Sequence, residues 1–419
     1  MKTMVNPYDI FVERGFIYQS TDENGLRELF ANEQVTAYIG FDATATSFHV
    51  GTLVPIMALK WLQETGHRPV ALVGGGTTMI GDPSGKTEAR QLLSREDIKK
   101  NMDGLKRQLS RYITFTDDRA VMVDNGDWLL DLNYIDFLRD IGRHFSVNRM
   151  LTAESYKMRL EAGLTFIEFN YQILQAYDFL VLYQKMNNKL QMGGQDQWGN
   201  IVAGTDLIRR VAGGQAYGLT FPLLQDPKTG AKFGKTHKGA IWLEAELTSP
   251  YEFYQFWRNT DDAAVETCLS LFTFLPMSEV RRLGSMEGEE INRAKEILAF
   301  EATKITHGED EAVKARSAAL GIFASAGEAG TGGTTMADLP TTVISFEQLT
   351  KGITAYDLFT WSGLTKSKGE ARRLIRQGGA YAGEKRLDDE ELVITEKDLT
   401  DRTLVLRAGK KRYHLVRFE

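Results

Sequence analysis

Short apolar runs and helix-length segments alternate through the first half of the chain. "VTAYIGFD" (35–42), "HRPVALVGGG" (67–76), "RAVMVDN" (119–125), "NKLQMGG" (188–194) and "YGLTFPLL" (217–224) have the length of strands, and "TLVPIMALKWLQETG" stands among them at helix length. Strands separated by helices predict βαβ units and a parallel sheet, with ligands bound beyond the carboxyl ends of the strands. From about Pro250 the pattern turns helical, in "SPYEFYQFWRNT" and "EEINRAKEILAFEATKITHG". It stays so up to "SAGEAGTGGTTMADLP" (Ser325–Pro340), which has almost no apolar periodicity and reads as a linker, because it cannot bury enough surface to offset its ordering entropy. No repeat of solenoid length is visible.

Composition narrows the class. Of 419 residues 42% are hydrophobic and 25% charged, which describes a globular protein of two or three domains at about 150 residues each. The single cysteine, Cys268, excludes an internal disulfide and argues against a thiolate metal cluster; a reducing, cytoplasmic location is expected. "MKTMVNPYDIFVERGF" lacks the apolar core of a signal peptide, and no stretch approaches the roughly 18 apolar residues of a membrane span, so no membrane partner is expected. The net charge of −6 argues against a general nucleic-acid coat, yet it is unevenly shared. Residues Ile344–Glu419 hold 15 Lys and Arg against 12 Asp and Glu, so this part is +3 and the remainder −9. A basic module on an acidic body is compatible with RNA contact, and equally with a solvated charged surface.

"GDPSGKT" (81–87) invites a P-loop reading and fails it. Four residues must separate the first glycine from the Gly-Lys pair, and here that position belongs to Ile80; Pro83 also has no N–H to offer a phosphate. Asp82 therefore needs another explanation. Four other constellations carry candidate chemistry. In "YIGFDATATSFHVGTLVP" (38–55) a strand ends at Asp42, a small-residue loop follows, and His49 and Thr52 precede a helix starting near Gly51. That is an anion-binding corner, or a capped helix with an incidental histidine. In "NYQILQAYDFL" Tyr171, Gln175 and Asp178 recur at i, i+4 and i+7 and share one helical stripe, either a pocket wall or a solvent face. "QMGGQDQWGN" places Asp196 and Gln197 after glycines at a strand end, suited to a sugar or to a plain turn. "DPKTGAKFGKTHKGAIWL" carries Lys232, Lys235 and Lys238 in a glycine-interrupted loop, a polyphosphate clamp or a solvated charge run.

In this order the four resemble the class I aminoacyl-tRNA synthetases, and closely the bacterial tyrosyl-tRNA synthetases. "HVGT" (His49–Thr52) stands for the family's HIGH signature and "KFGKT" (Lys232–Thr236) for its KMSKS signature, while "GLTKSKGEARRLIRQGGAYAGEKR" is similar to an S4-type RNA-binding module. The resemblance covers essentially the whole chain. It implies a Rossmann-like α/β catalytic domain with an inserted dimer-interface region over 1–228, a lysine loop and helical domain over 229–324, a linker over 325–343, and a small α+β S4-like domain over 344–419. It also implies L-tyrosine, ATP with Mg²⁺, and tRNA(Tyr) as partners, and a homodimer, for which "WLLDLNYIDFLRDIG" from Trp128 has the apolar content.

Carried over residue by residue, the resemblance assigns Tyr38 and Asp178 to the phenolic hydroxyl. It assigns Asp82, Tyr171 and Gln175 to the α-ammonium group and Gln197 to the carboxylate of tyrosine. Gly40, Asp42, His49, Gly51, Gly194, Asp196 and Lys235 become ATP-binding; Thr44, His49, Thr52, Lys232 and Lys235 catalytic; Lys86 and Arg90 neighbours of the triphosphate. RNA binding falls to Arg372, Arg373, Arg376, Lys410, Lys411 and Arg412, with Arg209 and Arg210 as lesser candidates for the acceptor arm. Thr52 departs from the signature histidine and can carry no positive charge, so rearranged nucleotide contacts are expected. Phe233, Gly234 and Thr236 replace Met, Ser and Ser, with both lysines kept. A tryptophanyl enzyme shares the sheet and both signatures, but Tyr38 with Asp178 suits a phenol better than an indole. A non-catalytic RNA-binding paralogue would not need these pocket residues.

Overall fold

The computed structural model describes residues 5–84, 93–116, 119–153, 156–157, 159–160, 163–225, 230, 232–236, 239–324, 340–350, 352–383, 385–399, 402–409 and 412–419, with backbone alone at 235–236, 320–324 and 350. Five parallel strands form the expected sheet: β2 (Thr36–Asp42), β3 (Arg68–Gly74), β4 (Val121–Asp124), β5 (Asn188–Gly194) and β6 (Tyr217–Phe221). A two-residue strand that the apolar pattern does not reveal, β1 (Gln19–Ser20), adds to β6 antiparallel, giving the order β1-β6-β5-β2-β3-β4. The central strands are buried along consecutive positions, because helices cover both faces of a parallel sheet.

Connectivity places the ligand region. The chain moves outward from β2 to β3 and β4, then returns to the other side of β2 for β5 and β6. The crevice between β2 and β5 is thus a topological switch point, where neighbouring connections leave in opposite directions. The connecting helices are Leu53–Glu64, Arg95–Tyr112, Phe166–Met186 and Trp198–Val211. The last two pack closely, because a Cβ on Gly204 would stand 2.8 Å from the Phe179 ring.

The amino end of the Phe166–Met186 helix is held by a capping box. Thr165 accepts the Glu168 amide, and Glu168 accepts the Thr165 amide and hydroxyl. The same carboxylate takes the buried Arg159 guanidinium at 3.1 Å. Pocket residues on this helix therefore sit on a fixed rod.

Helices Val265–Phe272, Met277–Gly284 and Ile291–His307 bear out the helical reading beyond Pro250. Arg14 ties the amino-terminal helix Pro7–Arg14 to them. Its guanidinium donates to the carbonyls of Ser270, Thr273 and Leu275 and lies 4.4 Å over the Trp61 ring.

The chain divides into two compact units, Met1–Thr248 with Phe256–Gly308, and Ser249–Gln255 with Glu309–Glu419. Helix Glu309–Ala324 thus groups with the carboxyl-terminal unit and not with the preceding helices. That unit also holds a five-stranded sheet, with the helices Ala355–Trp361 and Lys368–Arg376 packed on a core including Leu358, Phe359, Ile375, Leu406 and Val416. The expected linker over 325–343 needs correction at its end. Thr341–Ile344 is an edge strand paired in parallel with Leu415–Phe418, its Ile344 entering the core of this unit, whereas 325–339 lie outside the described residues. Among the described residues no helix is long and apolar enough to cross a membrane.

Candidate active site

Three strand ends and one helix stripe converge at the switch point. β3 runs into "GGGTT", where a Cβ on Gly74 would lie 2.4 Å from Thr77 Oγ1 and 2.6 Å from Asp42 Oδ1. One on Gly75 would lie 2.2 Å from Asp124 Oδ1. Only glycine lets the strand ends of β2, β3 and β4 approach this closely. Gly40, on β2, serves differently: a Cβ there would meet only Leu72, at 3.8 Å. Its position is exposed on an otherwise buried strand, leaving backbone accessible to a ligand.

A continuous hydrogen-bonded chain crosses the site. Tyr171 OH donates to Asp42 Oδ2 at 3.1 Å, and Thr77 Oγ1 donates to Asp42 Oδ1 at 3.0 Å. Asn125, fully buried, donates to Thr77 Oγ1 and to Asp178 Oδ2, both at 2.9 Å. Its carbonyl accepts the amides of Gly76 and Thr77. Every hydrogen-bonding valence of Asn125 is engaged, which fixes its orientation. Trp128 Nε1 donates to Asp178 Oδ1 at 2.7 Å.

Asp178 is 2% exposed, and burial pushes its carboxyl up to about 8, against the hydrogen bonds from Asn125 and Trp128 and with the charges of Asp42 and Asp124. Tyr38, on β2, is 1% exposed, and its hydroxyl has no hydrogen-bond partner among the described residues. Burial first, then the Asp178 charge, raises that hydroxyl well above the usual phenol value. An orphaned hydroxyl beside a buried carboxylate is an expensive arrangement for an empty core and a suitable one for a polar ligand atom.

A second cluster lies at the other end of the stripe. Gly81 takes φ +85°, a conformation that only glycine adopts freely, and delivers Asp82 inward. Asp82 Oδ1 accepts the Ser84 amide at 2.8 Å and Oδ2 accepts Gln197 Nε2 at 2.6 Å. Asn200 donates to Gln197 Oε1 at 3.1 Å and to Gln175 Oε1 at 3.0 Å. Asp82, Gln175 and Gln197 are therefore brought together, whereas the Tyr171 hydroxyl is turned to Asp42. Asp196 and Gln197 occupy a 3₁₀ turn directly beyond β5, with Gly194 so close that its Cβ would meet Asp196 Oδ1 at 2.6 Å.

The anion corner is also built. His49 caps the 3₁₀ turn Val50–Thr52, its Nδ1 accepting the Gly51 amide at 3.0 Å. A neutral ring that accepts at Nδ1 carries its proton on Nε2. The helix proper begins at Leu53, after that turn, rather than at Gly51. Thr44 is exposed in the loop after β2, and Thr52 makes no side-chain cap bond. The lysine segment abuts this turn: Val50 N donates to Ile241 O at 2.9 Å, Ile241 N to Gly234 O at 3.0 Å, and a Cβ on Gly234 would stand 3.3 Å from Gly51 N. Phe233 lies among Phe256, Trp257 and Phe272, which explains an aromatic residue in place of methionine. Lys232 is exposed here. Lys86, Arg90, Lys238 and the Lys235 side chain lie outside the described residues.

Sequence reasoning missed Thr77, Asn125, Trp128 and Asn200. Asn125 closes a strand quoted for its apolar content and Trp128 opens a segment read as an interface; no motif marks either. That segment is two short helices, Gly126–Leu129 and Tyr134–Asp140, because Asn133 caps a new one. Arg209 and Arg210 both pair with Asp206, the surface ion-pair arrangement. In the carboxyl-terminal unit Arg372 and Arg376 pair with Glu391 and Glu390, Arg373 and Arg412 make no ion pair among the described residues, and Lys410 and Lys411 lie outside them.

A switch-point cleft lined by a helix-capping histidine, a facing lysine segment and strand-end carboxylates defines a class I aminoacyl-tRNA synthetase. The pattern of the class I tRNA synthetases (W and Y) matches residues 31–324, and that of the tyrosine–tRNA ligase SYY-like C-terminal domain matches 334–416. The tyrosine–tRNA ligase of Desulfosudis oleivorans is 55% identical over 424 aligned positions, covering 97% of this chain and 98% of that protein. That of Clostridium tetani is 52% identical, with 99% of both chains covered. A C-terminally truncated Aspergillus nidulans mitochondrial tyrosyl-tRNA synthetase superposes with TM-score 0.68 at 30% identity, covering 76% of this chain and 94% of that one. Plasmodium falciparum tryptophanyl-tRNA synthetase shares the fold alone, with TM-score 0.54 at 14% identity. The chain belongs to the tyrosine–tRNA ligases.

Proposed function

We infer that this cleft joins tyrosine to ATP and then to tRNA(Tyr), with Tyr38 and Asp178 reading the phenol. The orphaned Tyr38 hydroxyl carries this assignment: a bound phenol would give it a partner while donating its own proton toward Asp178. Tyr171 and Asp178 are seven residues apart on one helix, about 10 Å along its axis, comparable with the long dimension of tyrosine. Asp82, with Gln175 and Gln197, then receives the ammonium and carboxylate end. An indole would leave Tyr38 and Asp178 without a hydroxyl to share.

One carboxylate oxygen of tyrosine attacks the α-phosphorus of ATP; the bond to the bridging oxygen breaks, giving tyrosyl-adenylate and pyrophosphate. A hydroxyl of the terminal adenosine of tRNA then attacks the acyl carbon and AMP leaves. The protein supplies alignment and charge stabilisation, with His49 donating through Nε2 and the positive charges of Lys232 and Lys235 offsetting that of the departing phosphates. Gly40, Asp42, Thr44, Gly51, Thr52, Gly194 and Asp196 form the nucleotide wall, the last offering a carboxylate to the ribose. Mg²⁺ would enter with the triphosphate and neutralise part of its charge.

A cytoplasmic homodimer fits the chain. Tyr134, Ile135, Val147 and Phe166 are each more than half exposed, a concentration of apolar surface between residues 130 and 167 that suits a second copy. The assignment is tested by ATP–pyrophosphate exchange with each free amino acid in turn. Tyrosine alone should support exchange, and Asp178→Asn should lower it by roughly 100-fold or more; near-parental exchange in that variant would refute the pocket.

A further inference from the structure

Helix Arg95–Tyr112 carries two buried stripes. Ile98, Met102, Leu105, Leu109 and Tyr112 form an apolar one. Asn101, Gly104 and Gln108 form a second at i, i+3 and i+7, buried as well, and none of them belongs to the tyrosine pocket or to either signature. Buried polar groups need partners, and here these come from the loop that leads out of β2 to His49. Asn101 Nδ2 donates to the Ala43 carbonyl at 2.8 Å. At Gly104 the two backbones approach directly, since a Cβ there would overlap the Thr46 carbonyl.

Gln108 joins this loop to a distant segment. It is fully buried; its oxygen accepts the Phe48 amide at 2.9 Å, and its nitrogen donates to Ser47 Oγ at 2.9 Å and to Glu244 Oε2 at 2.8 Å. All its hydrogen-bonding groups are engaged, so the amide has one orientation. Glu244 is held in turn by Arg111, on the next turn of the same helix, at 2.8 Å. The Phe48 carbonyl accepts the Leu243 amide at 2.9 Å, and His49 bridges antiparallel to Trp242. Residues 47–50 and 241–244 are thus two sides of one short ladder, and Gln108 closes its end. The second side also holds Gly234, through the Ile241 amide at 3.0 Å. The histidine turn and the lysine segment therefore take their relative position from a side chain that belongs to neither.

We propose that Gln108 is a positioning residue for adenylate formation. It fixes the spacing between the His49 turn and the segment carrying Lys232, so that both meet the charge growing on the departing pyrophosphate, while Asn101 and Gly104 seat the loop behind His49. The proposal rests on the reading of His49 and Lys232 as charge-stabilising groups and adds the residue that aligns them. Groups that act on transition-state charge lose their effect when displaced, which lowers kcat. Tyrosine is read by Tyr38, Asp178 and their neighbours on other elements, so its binding is independent of Gln108.

The test measures kcat and KM of tyrosine-dependent ATP–pyrophosphate exchange in the full-length protein. Gln108→Leu should lower kcat roughly 30-fold, with KM for tyrosine within about twofold of the parental value. Gly104→Ala displaces the loop by overlap and removes no side-chain hydrogen bond; it should lower kcat in the same way, by roughly tenfold. A double-mutant cycle separates positioning from mere support of the fold. In a His49→Ala background, Gln108→Leu should cost less than about threefold, because the group it aligns is gone. Parental kcat in either variant, a KM for tyrosine rising as far as kcat falls, or losses at positions 49 and 108 that simply multiply would overturn the proposal. Should Gln108→Leu fail to fold, Gly104→Ala enters the same cycle in its place. Parental exchange in His49→Ala beside a reduced Gln108→Leu would remove the reading of the histidine corner itself and leave Gln108 a structural residue.

Discussion

The Tyr38 hydroxyl is buried without a hydrogen-bond partner among the described residues, so deleting it should cost the folded protein nothing. Tyr38→Phe should melt at the parental temperature or slightly above it, while its preference for tyrosine over phenylalanine in pyrophosphate exchange falls roughly tenfold or more. Lost stability with unchanged preference would mean the hydroxyl serves the core. Asp178 makes a complementary prediction. Its folded value of about 8 lies above the ordinary 3.8, so the folded protein holds more protons than the unfolded chain between those values. The stabilising contribution of the protonated group is complete below 3.8 and is lost as pH rises through 8. Urea unfolding across this window should therefore show parental stability declining with pH more steeply than that of Asp178→Asn.

At the scale of the element, the Phe166–Met186 helix is the part that turns a sequence stripe into a pocket wall. Its amino end depends on the Arg159–Glu168 pair, whose side chains are 3% and 4% exposed. Burial raises the Glu168 carboxyl, but hydrogen bonds from the Thr165 backbone and hydroxyl and from Arg159 outweigh that and hold it below its ordinary value. Glu168→Gln removes the opposite charge from a buried guanidinium and should lower the free energy of unfolding by about 3 kcal/mol. Replacing both partners, Arg159→Met with Glu168→Leu, should recover most of that loss, measured by the same urea titration. Full stability in the single variant would show that the pair is solvated in practice.

On the scale of the whole molecule, the two compact units divide the work. The candidate adenylate site is built from the sheet unit, and the proposed RNA-binding residues belong to the other. A chain ending at Ala324 should keep tyrosine-dependent pyrophosphate exchange and lose most aminoacylation of tRNA(Tyr), because the lost cations supply sequence-independent affinity for the RNA backbone. Equal charging by the shortened protein in an acid-precipitation assay would show that the second unit is dispensable.

What the sequence determined by itself is what repeats locally. The apolar runs specified five of the six strands, since a buried parallel strand announces itself in consecutive positions. The i, i+4, i+7 spacing placed Tyr171, Gln175 and Asp178 on one face of one helix. The ordered signatures, His49–Thr52 before Lys232–Thr236, pointed to the family. Tertiary structure decided what depends on groups far apart in the chain. The Tyr171 hydroxyl meets Asp42, 129 residues away; Asp82 meets Gln197, 115 residues away; Asn125 and Trp128 reach Asp178 across about 50 residues. Helix periodicity says nothing of these partners, because a hydrogen bond is satisfied by whichever donor the fold brings within 3 Å. The same reason separates Arg373 from Arg372 and Arg376. Composition counts three cations, and only the positions of Glu390 and Glu391 determine which of them are paired.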